Sequence, residues 1–134
     1  MMYRFVIPFQ MPNLNDYLAA ERVNCRGPKG HFTTKGNELK KEWQKIVVAC
    51  IRRDLKCINI HKPVNIHYSF FEPNKKRDKD NIASFAMKII QDALVTSHTL
   101  KNDGWKQINN FSHEFYIDKQ KPRVEVILEE LEEE

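Results

Sequence analysis

Between residues 63 and 95 the hydrophobic period of the chain changes, and that change limits the folds open to it. In residues 63–71, Val64, Ile66, Tyr68 and Phe70 alternate with Asn65, His67 and Ser69, the period-2 pattern of a strand with one face in a core. From Asn81 to about Val95, Ile82, Phe85, Ala86, Ile89, Ile90, Ala93 and Leu94 recur at spacings of three and four. That predicts an amphipathic helix, opened by Asp80 or Asn81 as its N-cap. A second such stripe, Leu39, Trp43, Ile46, Val47, Cys50 and Ile51, predicts a helix from Thr34 to about Asp54 with a basic outer face. Alternation predicts three more strands, at residues 3–9, 110–118 and 122–128, with a hairpin turn over Lys119 to Pro122 between the last two. In residues 11–31, Met11-Pro12-Asn13-Leu14-Asn15 begins like a short helix and Gly27-Pro28-Lys29-Gly30 reads as a flexible loop. The expected fold is α+β: one domain, with a small mixed sheet of about four strands packed against two main helices.

Length and composition agree, because 134 residues with 41% hydrophobic side chains, four Gly and six Pro suit one domain and not two. The longest apolar run, Ile46 to Ile51, falls far short of the roughly 20 residues of a membrane-spanning helix. The opening Met1 to Pro8 lacks the basic and long apolar regions of a secretory signal, so a cytoplasmic location is expected. Cys25, Cys50 and Cys57 are odd in number and contain no CxxC pair, which argues against a disulfide framework.

The formal charge of +4 averages two unlike parts. Glu129, Glu130, Glu132, Glu133 and Glu134 hold five of the 18 acidic side chains, so in residues 1–128 the 22 basic groups face 13 acidic ones, a formal +9. The expected organisation is a domain over residues 1–128 and an acidic tail over 129–134. The tail is either a frayed, solvated end or a competitor for a nucleic-acid site.

The densest charge lies between the 63–71 strand and the 81–95 helix, in Asn74-Lys75-Lys76-Arg77-Asp78-Lys79-Asp80-Asn81. In an extended segment Asp78 and Asp80 project to one side. Two adjacent carboxylates repel, and a hard divalent cation such as Mg²⁺ relieves that by taking one or two carboxylates plus waters and phosphate oxygens. Lys75, Lys76, Arg77 and Lys79 would neutralise nucleic-acid phosphates beside it. A charged loop in which Asp80 or Asn81 merely caps the helix accounts for the same residues without catalysis. Asp92, bordering the apolar stripe, and Asp103, in an Asn-Asp-Gly turn, are the downstream aspartates; the turn by itself accounts for the second.

Arg77-Asp78-Lys79-Asp80-Asn81, the amphipathic helix ending Gln91-Asp92-Ala93-Leu94 and the Asp-bearing turn at Asn102-Asp103 together resemble the RusA family of Holliday junction resolvases. Ile7-Pro8, Pro12 and Asn15-Asp16-Tyr17 resemble that family's opening, and Thr34-Lys35-Gly36 its lead into the long helix, so the similarity covers nearly the whole chain. The resemblance implies that Asp78, Asp80 and Asp103 bind metal, that Asn15 and Tyr17 contact DNA, with ordinary helix capping as the alternative for these two, and that a homodimer makes Mg²⁺-dependent paired nicks in four-way junction DNA, with Mn²⁺ as a substitute. Ser84 stands where the family has a catalytically important lysine, and Lys88, one helical turn on, is the candidate replacement. Two other classes stay open: a non-catalytic binder of branched or double-stranded DNA, which the Ser84 departure favours, and a basic protein-interaction module.

The remaining motifs exclude more than they suggest. His31, His61, His67, His98 and His113 show no HxxxH or HExxH spacing, and Cys57 with His61 has no second pair to complete a zinc site. GxSxG, Walker A and GxGxxG patterns are absent, so serine hydrolase, P-loop and dinucleotide-binding chemistry lack their backbone features. Trp43 fits the core stripe of its helix, whereas Trp105, beside Asp103, suits either packing or stacking on an unpaired base.

Overall fold

In the computed structural model, which describes residues 1–27 and 30–132, the period-2 segment is strand β4 (Val64–Glu72) and forms the middle of the fold. Pro28 and Lys29 of the expected loop, and Glu133 and Glu134 of the expected tail, lie outside the described residues. The other elements, in chain order, are β1 (Met2–Ile7), α1 (Leu14–Glu21), β2 (Asn24–Arg26), β3 (Phe32–Thr34), α2 (Lys35–Leu55), α3 (Lys79–Thr96) after β4, β5 (Ile108–Ile117) and β6 (Arg123–Glu130). The fold is the single α+β domain expected, with a four-stranded mixed sheet in the order β1-β6-β4-β5. No helix among the described residues is long and apolar enough to cross a membrane.

One face of the sheet is apolar and takes both long helices. Phe5 and Ile7 of β1, Val64, Ile66, Tyr68 and Phe70 of β4, and Val124, Val126 and Leu128 of β6 pack with Val47, Cys50, Ile51 and Leu55 of α2 and with Ile82, Phe85, Ala86, Ile89, Ile90, Ala93 and Leu94 of α3. All three cysteines are free, and burial raises the pKa of the Cys50 thiol.

Strand β5 runs parallel to β4, whereas β6 is antiparallel to it on the other side. Parallel neighbours need a long crossover, and here it is α3 with its flanking loops. Helix α3 therefore starts where β4 ends, beside the C-terminal end of β5. The same topology corrects the expected hairpin: residues 118–122 join β5 to β6 across the end of β4, which lies between them. Asp118 fits that bridge, since its N–H donates to the Glu72 carbonyl and its Oδ1 accepts from Gln120 N and Lys121 N.

Two expected boundaries also move. Helix α3 begins at Lys79, because Asp78, in extended conformation, accepts from Ile82 N through its carbonyl and is the N-cap in place of Asp80 or Asn81. Strand β6 continues through Glu129 and Glu130, which pair with β1 and β4, so the acidic run starts inside the sheet and the expected 128/129 boundary does not hold. Residues 11–34 contain the capping box Asn13–Asp16, helix α1 and a small β2–β3 hairpin.

At Val6 the outer edge of β1 is occupied by the end of α2. Val6 N donates to Asp54 Oδ2 at 2.9 Å, and Arg53 donates to Val6 O at 2.6 Å and to both Asp54 oxygens. The edge groups of Val6, engaged in this way, are not open to pairing with another chain. The Arg53 hydrogen bonds, opposed by some desolvation, hold the Asp54 carboxyl below its ordinary value of 3.8. A carboxyl lowered in the folded state stabilises it fully above its unfolded value and loses that contribution as pH falls through the folded one. Asp54→Ala is expected to cost about 1 kcal/mol near pH 7. Urea midpoints should differ from wild type by clearly less near pH 2.5; an equal difference at both pH values would remove the carboxylate from the account.

Candidate metal and nucleic-acid site

At the C-terminal ends of β4 and β5 the backbone turns into α3, the kind of crevice where ligands bind in open α/β arrangements. The cavity there measures about 590 Å³ and is lined by Glu72 at the end of β4, Asn74, Lys75, Arg77, Asp78, Lys79, Asp80 and Ile82 around the start of α3, and Phe115, Tyr116 and Ile117 of β5. Asp78 and Asp80 thus share one cavity, although not by strand alternation: Asp78 caps the helix and Asp80 lies in its first turn. Both are exposed. The Asp78 carboxylate makes no capping hydrogen bond, and among the described residues the Asp80 Oδ1 accepts only from Asn81 N. Among the described residues neither forms an ion pair, although four basic residues surround them in sequence.

Arg77 explains part of this, because it turns inward. Its Nε and Nη2 donate to Glu72 Oε1 and Oε2 at 2.8 and 2.9 Å, and its Nη1 donates to the Met11 carbonyl at 2.9 Å. The guanidinium lies 3.8 Å from Asp16, and Gln10 Nε2 also donates to Glu72. The expected role of Arg77 as a DNA-binding cation is corrected: its donors bind a buried carboxylate and tie residues 10–16 to the site. Lys75, Lys76 and Lys79 stay exposed, with the Lys79 ammonium 5.6 Å from the centre of the Phe115 ring.

Asp103 lies elsewhere. It lines a second cavity of about 500 Å³ with Gln91, Gly104, Trp105, Ile108, Asn109, Asn110 and Phe111. Among the described residues no three or more His, Cys, Asp or Glu side chains are grouped to hold a metal ion, so a three-aspartate centre is not assembled. Lys88 is exposed and bonds Asp92 Oδ1 at 3.1 Å. Its pKa is raised by that hydrogen bond, by the charge of Asp92 and, more weakly, by Asp103. Eight residues of helix, about 12 Å of rise, separate it from Asp80, and Ser84 between them is exposed.

Asn15 is exposed in the first turn of α1, whereas capping falls to the buried Asn13. Tyr17 stacks on Phe85 with ring centres 5.1 Å apart and lies 4.9 Å from the Lys40 ammonium, a packing role. The residues that sequence reasoning missed are Glu72 and Gln10. Glu72 carried a signal, since it continues the buried parity of Val64, Ile66, Tyr68 and Phe70. An acid in that position needs a cation. Comparison of the sequence with models of protein families and with curated proteins finds no match.

Proposed function

We propose that this chain is a metal-dependent endonuclease that cuts four-way DNA junctions as a homodimer. The observation that carries the proposal is the pair Asp78 and Asp80: two exposed carboxylates without ion-pair partners among the described residues, in one cavity with Lys75 and Lys79. That donor set fits Mg²⁺, which takes one or two carboxylates and completes its shell with water and substrate phosphate oxygens. Mn²⁺ accepts the same ligands. Asp78 and Asp80 would hold the ion. When bound, it supplies Lewis-acid stabilisation of the charge that builds on a phosphodiester under attack.

The chain's own groups do the remaining work. Lys75 and Lys79 draw the DNA backbone into the cavity, and Lys76 extends the positive surface outside it. The N-terminus of α3 directs its free N–H groups and partial positive charge toward a phosphate. The Arg77–Glu72 clamp fixes the backbone on which both aspartates are carried. The RusA resemblance adds the junction substrate, the dimer, which supplies one cut per symmetric strand, and the expectation of Asp103 as a further ligand and Lys88 as the replacement cation. A cytoplasmic location belongs to the same proposal.

A second reading, a non-catalytic binder of branched DNA, is favoured by Ser84 and by the separate cavity of Asp103. One assay separates the two: incubation of the full chain with a synthetic four-way junction and with linear duplex, with and without Mg²⁺ or Mn²⁺. The nuclease predicts metal-dependent, paired nicks in the junction only. Salt-sensitive binding without nicks under either ion would establish the binder instead.

A further inference from the structure

Trp105 is 97% exposed, the most exposed of the large apolar side chains. Single exposed hydrophobic residues are ordinary, but this one borders the 500 Å³ cavity together with Phe111, which is 45% exposed, and Ile108. Packing within the domain, one of the two roles open to Trp105 from sequence, is therefore not what it does. The same cavity brings together three side-chain amides, Gln91, Asn109 and Asn110. Two of them spend a donor inside the protein: Gln91 donates to the Tyr68 hydroxyl and Asn109 to Asn65 Oδ1, so each keeps an acceptor oxygen. Asn110 spends its oxygen on Phe111 N and keeps its donor NH₂.

Flat apolar surface beside mixed donors and acceptors is the chemistry that recognises a nucleobase, whose faces stack and whose edges hydrogen-bond. The cavity volume falls within the range of small-ligand sites. The carboxylate of Asp103 disfavours an anion inside, while Lys101 and Lys106, exposed and without ion pairs among the described residues, flank the turn where a backbone phosphate would pass. We propose that this cavity is a subsite for one unpaired base of branched DNA, stacked on the Trp105 indole and held at its edge by Gln91, Asn109 and Asn110.

The inference rests on the chain acting on DNA. Phe111 at one cavity and Phe115 at the other share a face of β5, four residues or about 13 Å apart. A strand held at the basic aspartate cavity therefore reaches the Trp105 subsite within a few nucleotides, and a base displaced at a branch point meets the indole.

The test uses the full chain in EDTA, so that nothing is cut, with a duplex carrying one unpaired thymine and the same duplex fully paired. The unpaired thymine should quench tryptophan emission in the wild type and leave the residual emission of Trp105→Phe unchanged, while the paired duplex should quench neither. Trp105→Ala should bind the bulged duplex about 5- to 100-fold more weakly and the paired duplex as before, and Trp105→Phe should recover most of the loss. Trp105 is exposed, so both variants should melt as the wild type does. Equal affinity of wild type and Trp105→Ala for the bulged duplex, or an equal loss on both duplexes, overturns the subsite. Failure of the nuclease reading looks different: no nicks with Mg²⁺ or Mn²⁺, with the selective quenching and selective loss intact.

Discussion

Arg77→Ala is expected to destabilise the fold by about 3 kcal/mol, the lower end of the cost of breaking a buried ion pair. Glu72 is only 6% exposed and sits on the core-facing parity of β4. In the wild type its two oxygens receive Nε and Nη2 of one guanidinium, the bidentate geometry that makes such pairs strong. Alanine removes both donors and leaves the carboxylate with Gln10 Nε2 alone at 3.2 Å. The lower end of the range applies because the Arg77 side chain keeps 17% exposure and Gln10 remains. The Met11 carbonyl also loses its donor, so residues 10–16 come loose from the β4–α3 link. Thermal unfolding should fall by about 10 °C for a chain of this size. The double variant Glu72→Gln/Arg77→Ala should regain part of the loss, because no charge is then left buried. A loss below about 1 kcal/mol, the value of an exposed pair, would mean that water replaces the guanidinium at Glu72.

Such a partnership was legible in the sequence from one side only. Glu72 could be found, because Val64, Ile66, Tyr68 and Phe70 set a period of two whose next core-facing position is an acid, although the apolar Phe71 interrupts the polar face in the sequence. Arg77 could not, since Lys75, Lys76, Arg77 and Lys79 are equivalent charges until burial sorts them. The long helices were legible for the same reason as β4: each buries one face, and one-sided burial leaves a period in the sequence. Strands β2 and β3, of three residues each, are too short to show one. The β5–β6 connection misled because neighbours in sequence usually pair, whereas the place of β4 between them is a long-range property of the sheet. At the start of α3, Asp78, Asp80 and Asn81 are all good caps by composition, and only the bond from Ile82 N to the Asp78 carbonyl chooses among them. Asp78 and Asp80 do line one cavity, but as the N-cap and a first-turn residue of α3 and not as alternate residues of an extended segment. The location of Asp103 depends on the turn after α3, on which local spacing has no bearing.

Asp80→Asn should reduce Mg²⁺-dependent cutting of a four-way junction by more than about 100-fold, since a metal contributes several kcal/mol of charge stabilisation and each 1.36 kcal/mol is a factor of ten. The substitution isolates charge from structure. Asp80 Oδ1 accepts from Asn81 N, an amide oxygen accepts the same bond, and the exposed position tolerates the change, so helix α3 and junction binding in EDTA should be unaffected. Asp78→Asn should behave alike, because its carboxylate makes no capping hydrogen bond to lose. Undiminished cutting by either variant would remove the pair from the metal site. Asp103→Asn divides the remaining alternatives. A loss as large as that of Asp80→Asn would require the turn over residues 101–107 to close toward the start of α3 when DNA and metal are bound, making one three-aspartate centre. A smaller loss, with weaker binding of a bulged duplex, would keep Asp103 with the Trp105 cavity it lines in this structure and leave Asp78 and Asp80 as the protein's whole contribution to the metal.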